Sequence, residues 1–345
     1  MDMNTSLKKD IVPNIHVYGA NHSPWVQAVL LTLHMKNLKY SLSSLLDPLT
    51  FIESVKQGVP SPVRMPALWY NGKCYYESAN VIAFLDEIHP QTPQLFKNEN
   101  EEEVGRCLQK VFALFPYALT RIAGQKKIQF WYEWSICKDH GISKAHQILT
   151  RFFRPFMVLY FWCLIHLVRY AKFKGTWPIE TFRKAIAHFS DKISRNGGQY
   201  VNGLDVTYAD ILVFGHFQTM FSGSNGMGAL SGEVIPIIDE YPIMWTWLNR
   251  MHHHPLLIDY PFMYSKGDKN VAQRIGTMES DDLVETDSIF GQIIYWVGFW
   301  ALFAFAPLTL LALLAMICTR IWKTRGNYKE PPFKFICQEN KTKSD

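Results

Sequence analysis

Ser23 stands directly before Pro24, at the start of the apolar run Pro24–Met35. That is a helix N-cap followed by proline at the first helical position. A serine hydroxyl there can donate to a sulfur while its oxygen accepts from the helix backbone. Together with the positive helix end it lowers the pKa of a nearby thiol, whose thiolate is the reactive form. Glu77 and Ser78 precede a second apolar run that ends near Ile88. The Glu77 carboxylate can accept from a ligand ammonium, and Ser78 with the helix N-terminus can bind a carboxylate. Each residue also has a plain structural reading: Ser23 and Ser78 as helix caps, Glu77 as a surface charge. Tyr18 is a rival hydroxyl to Ser23, with packing as its alternative role.

These residues need a frame. Ile15–Tyr18 reads as a short strand, Pro24–Met35 as a helix, and Leu38–Ser43 as a second strand. Val26, Val29, Leu30, Leu33 and His34 fall on one broad helix face. Asp47–Gln57 can hold another helix. Ala67–Tyr70 and Lys73–Tyr76 are strands joined by Asn71-Gly72, a strong two-residue hairpin signal. Ser78–Ile88 closes the series as a helix. The order β-α-β-α-β-β-α is that of a thioredoxin-like domain.

The stretch VYGANHSPWVQAVLLTLHMKNLKY resembles the opening of serine-type glutathione transferases of the theta, phi, delta and zeta kind, and MPALWYNGKCYYESANVIAFLDE resembles their glutathione-site half. The resemblance implies a cis proline before strand three, here Met65-Pro66, and an acidic residue followed by serine at the next helix, here Glu77-Ser78. A cis proline turns the preceding backbone outward, so Met65 N–H and C=O can pair with an extended peptide. On this reading Ser23 is catalytic, with Tyr18 the alternative. Met65, Pro66, Glu77 and Ser78 bind glutathione, and Lys56 and Gln57 are weaker candidates for its glycyl carboxylate. Glutathione is the co-substrate and no metal is expected. No cysteine replaces Ser23, which disfavours the disulfide chemistry of omega-type and glutaredoxin-type relatives.

A second, all-α domain follows. Residues 98–120 and Ile179–Arg195 read as helices, as does Pro242–His253. Thr207-x-x-Asp210 before an apolar run reads as a capping box, with aspartate in place of glutamate. It resembles the folding cap of the transferase helical domain and has no catalytic role. Residues 121–176 exceed what a compact transferase needs. Their uncharged part, Pro155–Val168, is flanked by Arg151, Arg154, Arg169, Lys172 and Lys174. It is too short to span a bilayer. It reads either as a buried helix or as one lying against a membrane or a partner. Gly223–Gly232 reads as a Gly/Ser-rich loop. His252-His253-His254 is contiguous, so the three rings cannot share a helix face and do not suggest a metal site.

From Ser288 to Thr319 no residue is charged, and about 20 apolar residues span a bilayer core. The expectation is one transmembrane helix, interrupted by Pro307. Seven basic residues (Arg320, Lys323, Arg325, Lys329, Lys334, Lys341 and Lys343) then face only Glu330, Glu339 and Asp345. The expected organisation is a thioredoxin-like glutathione-binding domain over residues 1–92 and an all-α domain over 98–265. A linker over 266–288, a membrane anchor over 289–319 and a basic tail over 320–345 follow. The acidic upstream flank and basic tail would place the body outside by the positive-inside rule. The absence of an apolar leader argues for a cytosolic body, the reading adopted here. Mitochondrial outer membrane is favoured over peroxisome or endoplasmic reticulum. The insertion and anchor resemble in layout the ganglioside-induced differentiation-associated proteins.

The 345 residues suffice for two domains, and 48% hydrophobic with 19% charged content excludes a disordered chain. The net charge of +5 sits largely in the tail, so no nucleic-acid surface is indicated. Six cysteines without a CxxC pair fit reduced thiols. The expected partners are glutathione, a hydrophobic electrophile, the lipid bilayer and a second copy of the chain. The leading function is a membrane-tethered enzyme conjugating or reducing electrophiles with glutathione. The alternatives are a non-enzymatic organelle-membrane adaptor, and an isomerase or dehalogenase using glutathione as cofactor.

Overall fold

The structure, a computed structural model, describes residues 15–19, 23–43, 65–96, 101–115, 179–221, 228–262 and 289–305, with isolated positions at 54, 56, 148–163 and 307–318. The expected helix over Asp47–Gln57 lies largely outside them, although Ser54 and Lys56 are helical. The linker, the basic tail and most of the insertion also lie outside.

Strands β1 (Ile15–Tyr18), β2 (Ser41–Ser43), β3 (Ala67–Tyr70) and β4 (Lys73–Tyr76) form one sheet in the order β2-β1-β3-β4. β1 is parallel to β2 and antiparallel to β3, and β3 is antiparallel to β4. With helices α1 (Pro24–Met35) and α2 (Ser78–Ile88), this is the expected thioredoxin-like arrangement. The β3–β4 turn holds Asn71 at φ 46° and Gly72 at φ 85°, as a tight hairpin with two positive-φ positions requires.

The helical part comprises α3 (Glu101–Phe112), α4 (Ile179–Arg195), α5 (Tyr208–Phe221), α6 (Gly228–Asp239) and α7 (Pro242–His252), with α8 (Ile289–Ala304) beyond. α6 corrects the Gly/Ser-loop reading, since the chain is already helical from Gly228. Glycines in a first turn cost little there, because its N–H groups have no intrahelical partner in any case, and the following Val234, Ile235, Ile237 and Ile238 bury a strong apolar face.

α1 is also more buried than its expected single face implies: every residue except His34 is buried. It lies between the sheet and α5, which is itself buried along its whole length. The two helices approach at Gly215, where an added Cβ would stand 2.6 Å from the Pro24 carbonyl oxygen and 3.1 Å from the Ala28 nitrogen. Only glycine allows that approach.

Buried polar groups fasten the two parts. Lys36, just past α1, pairs with Asp86 of α2 at 2.8 Å and donates to Thr92 Oγ1 and the Pro93 carbonyl, both at 2.9 Å. The other Asp86 oxygen accepts from Leu95 N–H at 2.6 Å and Phe96 N–H at 2.7 Å. Leu95 in turn accepts from Tyr208 N–H at 2.9 Å, and the Phe96 ring stacks on Tyr208 at 4.4 Å. The connector into the helical part is thereby fixed at both ends. Tyr260 Oη also donates to Gln27 Oε1 of α1 at 2.7 Å.

Asp210 is fully buried. It accepts from Thr207 N–H and Thr207 Oγ1 at 3.0 Å, from Val201 N–H at 2.9 Å and from Trp247 Nε1 at 2.8 Å. The carboxylate reaches back to the N-cap amide as a capping box does, but the Thr207 hydroxyl donates to it. Burial pushes the Asp210 carboxyl up, and the four donors oppose that shift.

Among the described residues no helix is long and apolar enough to cross a membrane. α8 covers 16 residues of the expected span, a rise of about 24 Å against a hydrocarbon core of about 30 Å. The rest of the uncharged run is described only at isolated positions.

Candidate functional site

Strand register gathers the candidate residues. Tyr18 of β1 lies opposite Ala67 of β3, and Ala67 opposite Tyr76 of β4. Ser43 of β2 stands beside Tyr18 on the other side. These four residues form one row across the sheet, with strands about 4.8 Å apart. Met65-Pro66 precedes Ala67, Glu77-Ser78 follows Tyr76, and Ser23 lies five residues after Tyr18 in the chain. Gly19 N–H donates to the Ser43 carbonyl at 3.0 Å, turning the chain at that row. Tyr18, Met65-Pro66 and Glu77-Ser78 thus lie at or next to the same end of the sheet, and Ser23 and Glu77 mark the starts of α1 and α2.

The Met65-Pro66 peptide is cis, as the resemblance implied. Ser23 is the N-cap of α1, with extended backbone (φ −85°, ψ 124°), and its carbonyl accepts from Gln27 N–H at 2.9 Å. Its hydroxyl makes no capping hydrogen bond. The hydroxyl lies at the positive end of a 12-residue helix.

Glu77 is the N-cap of α2 at φ 70° and ψ 124°, and its side chain does not cap the helix either. A non-glycine residue with positive φ costs about 1–3 kcal/mol and tends to mark ligand clamps. Its carbonyl accepts from Val81 N–H at 2.9 Å. Ser78 is buried as the first residue of α2, beside the amides that no helix carbonyl satisfies.

Tyr18 is buried. Its ring meets His16 edge-on at 4.4 Å, and its side chain packs on Ala67, with Met65, Trp69 and Cys74 around them. Lys56 is exposed and helical, and Gln57 lies outside the described residues. Of the histidine triplet, His254 Nδ1 accepts from Leu256 N–H at 3.2 Å, a local turn contact. Among the described residues no group of three or more His, Cys, Asp or Glu is placed to hold a metal ion.

Sequence reasoning missed an aromatic group beside Ser23. Trp25, two residues on, contacts Phe112 and Phe115 at 5.0 and 6.0 Å between ring centroids and His216 edge-on at 4.5 Å. Phe112 is 44% exposed, so this wall opens to the surface. His216 is fully buried in α5, and its Nδ1 bonds the Leu212 carbonyl at 2.8 Å. With Nδ1 as the donor, Nε2 is an acceptor, and it has no hydrogen-bond partner. Burial pushes the His216 pKa down to about 4, so the ring is neutral near pH 7. Gly215-His216 inside the otherwise apolar stretch Ile211–Phe217 was the available signal.

Residues 22–88 match the profile of the glutathione S-transferase N-terminal domain. No curated protein sequence matches the chain. Among solved structures, the tau-class glutathione S-transferase of mango, Mangifera indica, is 17% identical, with 71% of this chain and 91% of that one covered and a TM-score of 0.42. The beta-etherase LigF of Sphingobium sp. strain SYK-6 is 16% identical, with 74% and 100% covered and a TM-score of 0.45. A glutathione transferase homologue of Drosophila mojavensis, solved with bound glutathione, is 16% identical, with 76% and 95% covered and a TM-score of 0.41. The thioredoxin-like sheet and the family profile thus coincide over the segment that carries Ser23, Met65-Pro66 and Glu77-Ser78.

Proposed function

We propose that the chain binds glutathione at this end of the sheet and joins its sulfur to hydrophobic electrophiles. The place of the Ser23 hydroxyl at the α1 N-terminus, where it makes no capping hydrogen bond, carries the reading. In it, Met65 pairs with the peptide backbone, Glu77 accepts from the γ-glutamyl ammonium, and Ser78 with the first amides of α2 holds the γ-glutamyl carboxylate. Ser23 donates to the sulfur. A hydrogen bond to a charged group contributes about 1.5–3 kcal/mol and a helix terminus about 0.3–1 kcal/mol. Their sum lowers a thiol pKa by about 1–3 units from its ordinary value of about 8.5.

The thiol proton leaves to solvent. The thiolate sulfur then forms a bond to the electrophilic carbon, and the electron pair of the broken bond departs with the leaving group or moves onto a conjugated acceptor. With a peroxide, a first glutathione takes up one oxygen and a second closes the disulfide, giving alcohol and water. Trp25, Phe112 and Phe115 supply an apolar wall for the acceptor.

A membrane-tethered location is part of the proposal, supported by the uncharged run of residues 288–319 and the basic residues after it. The layout resemblance makes the mitochondrial outer membrane the compartment to test by fractionation, with the body facing the cytosol. Calorimetry of the full chain in mild detergent tests the binding. Micromolar to millimolar glutathione affinity is expected, at least tenfold weaker in Glu77→Ala, with turnover lost in Ser23→Ala. A folded chain that binds no glutathione contradicts the enzyme and leaves the adaptor reading.

A further inference from the structure

The inner face of α8 is occupied by another part of the same chain. Gly298 is buried, and a Cβ there would fall onto the Phe152 carbonyl oxygen and lie 2.9 Å from its carbonyl carbon and 3.1 Å from its Cα. Residues 151–153 are helical, so two helical backbones touch at this glycine. Tyr295, three residues earlier on the same face, is 3% exposed. The opposite face is different in kind. Ile293 and Val297 are each 54% exposed, Trp300 66% and Phe303 57%. Leu308, Leu311 and Leu314, farther along the same uncharged run, are also exposed. Water-soluble proteins rarely leave so continuous an apolar face open.

We propose that α8 and the segment around Phe152 form one intramolecular helix pair, seated at Gly298, whose outer face lies in lipid. The proposal rests on the membrane reading above and adds the seat. Where apolar packing gains nothing over lipid, helices associate by close backbone approach at small residues, and Gly298 provides that approach. The outer face needs a hydrocarbon partner. Arg320, Lys323 and Arg325 after the uncharged run suit anionic headgroups on that side, whereas the flank before α8 is acidic. The insertion is then part of the anchor. The helical part of the body is drawn against the bilayer, where apolar electrophiles concentrate.

The test uses the full chain in vesicles of phosphatidylcholine and phosphatidylserine, with a photoreactive benzoylphenylalanine in place of Phe152 or of Trp300. Irradiation is expected to join position 152 to the Tyr295–Leu302 segment and position 300 to lipid. Gly298→Leu, and to a smaller degree Gly298→Ala, should lower the first cross-link at least fivefold while the chain stays with the vesicles. A vesicle-bound chain whose 152 cross-link goes elsewhere, or ignores Gly298→Leu, overturns the pair. Labelling of protein rather than lipid from position 300, or a chain that does not join the vesicles, overturns the lipid-facing surface. Glutathione binding is measured on the same samples, so failure of the anchor and failure of the transferase reading are told apart.

Discussion

Replacing Gly215 by alanine tests the seam between the two parts of the body. The new Cβ would stand 2.6 Å from the Pro24 carbonyl oxygen and 3.1 Å from the Ala28 nitrogen. Both atoms are backbone, so no flexible side chain can swing away. An ordinary contact requires α1 and α5 to separate by well over half an ångström. Overpacking of this kind costs about 1–3 kcal/mol, and alanine returns about 1 kcal/mol in helix propensity. A net loss of up to about 2 kcal/mol follows. Gly105 of α3 supplies the control, because a Cβ there meets nothing within 4 Å. Gly105→Ala should stabilise by about 0.5–1 kcal/mol. Denaturant unfolding of the full chain in detergent, followed by tryptophan fluorescence, should therefore shift in opposite directions for the two variants. Because Pro24 follows Ser23, Gly215→Ala should also weaken glutathione binding, and Gly105→Ala should not. Equal shifts of the same sign, or a stabilised Gly215→Ala, would refute the close-approach argument.

Other perturbations bear on separate links. Lys36→Met leaves Asp86 buried with its two amide donors and no cation; a loss of about 3 kcal/mol should appear in the same unfolding assay. His216 titrates near 4 when folded and near 6.5 when unfolded. Below pH 6.5 the unfolded state binds the proton that the folded state refuses, so stability falls as pH drops from 6.5 to 4. The ceiling on this loss is about 3 kcal/mol. His252 is pushed down to about 4, also mainly by burial, and acts in the same direction. His216→Phe should flatten the pH dependence of the unfolding midpoint in that window; an unchanged slope would place the acid sensitivity elsewhere. Glu77→Gly removes the side chain at a positive-φ position. It should leave stability equal or higher while weakening glutathione binding at least tenfold, and a parallel loss of both would make Glu77 structural.

What could be seen in the sequence was whatever depends on local chemistry. Asn71-Gly72 demanded its turn, Ser23-Pro24 its helix start, and Thr207 with Asp210 their cap. The cis peptide at Met65-Pro66 followed from resemblance to a known pattern and not from spacing. Contacts between distant segments left no such mark. Val26, Val29 and Leu33 suggested one buried face of α1, yet the helix is enclosed because α5 closes over it at a single glycine. For His216, only its place against Trp25 ties it to the site. Nothing in the uncharged run around Gly298 marks its approach to Phe152. That Met65-Pro66 and Glu77-Ser78 are neighbours became explicit in the pairing of Ala67 with Tyr76, which strand register alone defines.

The central claim is that Ser23 stabilises a thiolate on a bound ligand. The most direct test is the ultraviolet thiolate absorbance of glutathione bound to the full chain, titrated with pH. The account predicts a bound-thiol pKa between about 5.5 and 7.5, below the ordinary value of about 8.5, with Ser23→Ala returning it upward by at least about one unit at unchanged fold. A bound thiol that titrates normally in the wild-type chain, or one lowered equally in Ser23→Ala, would contradict it.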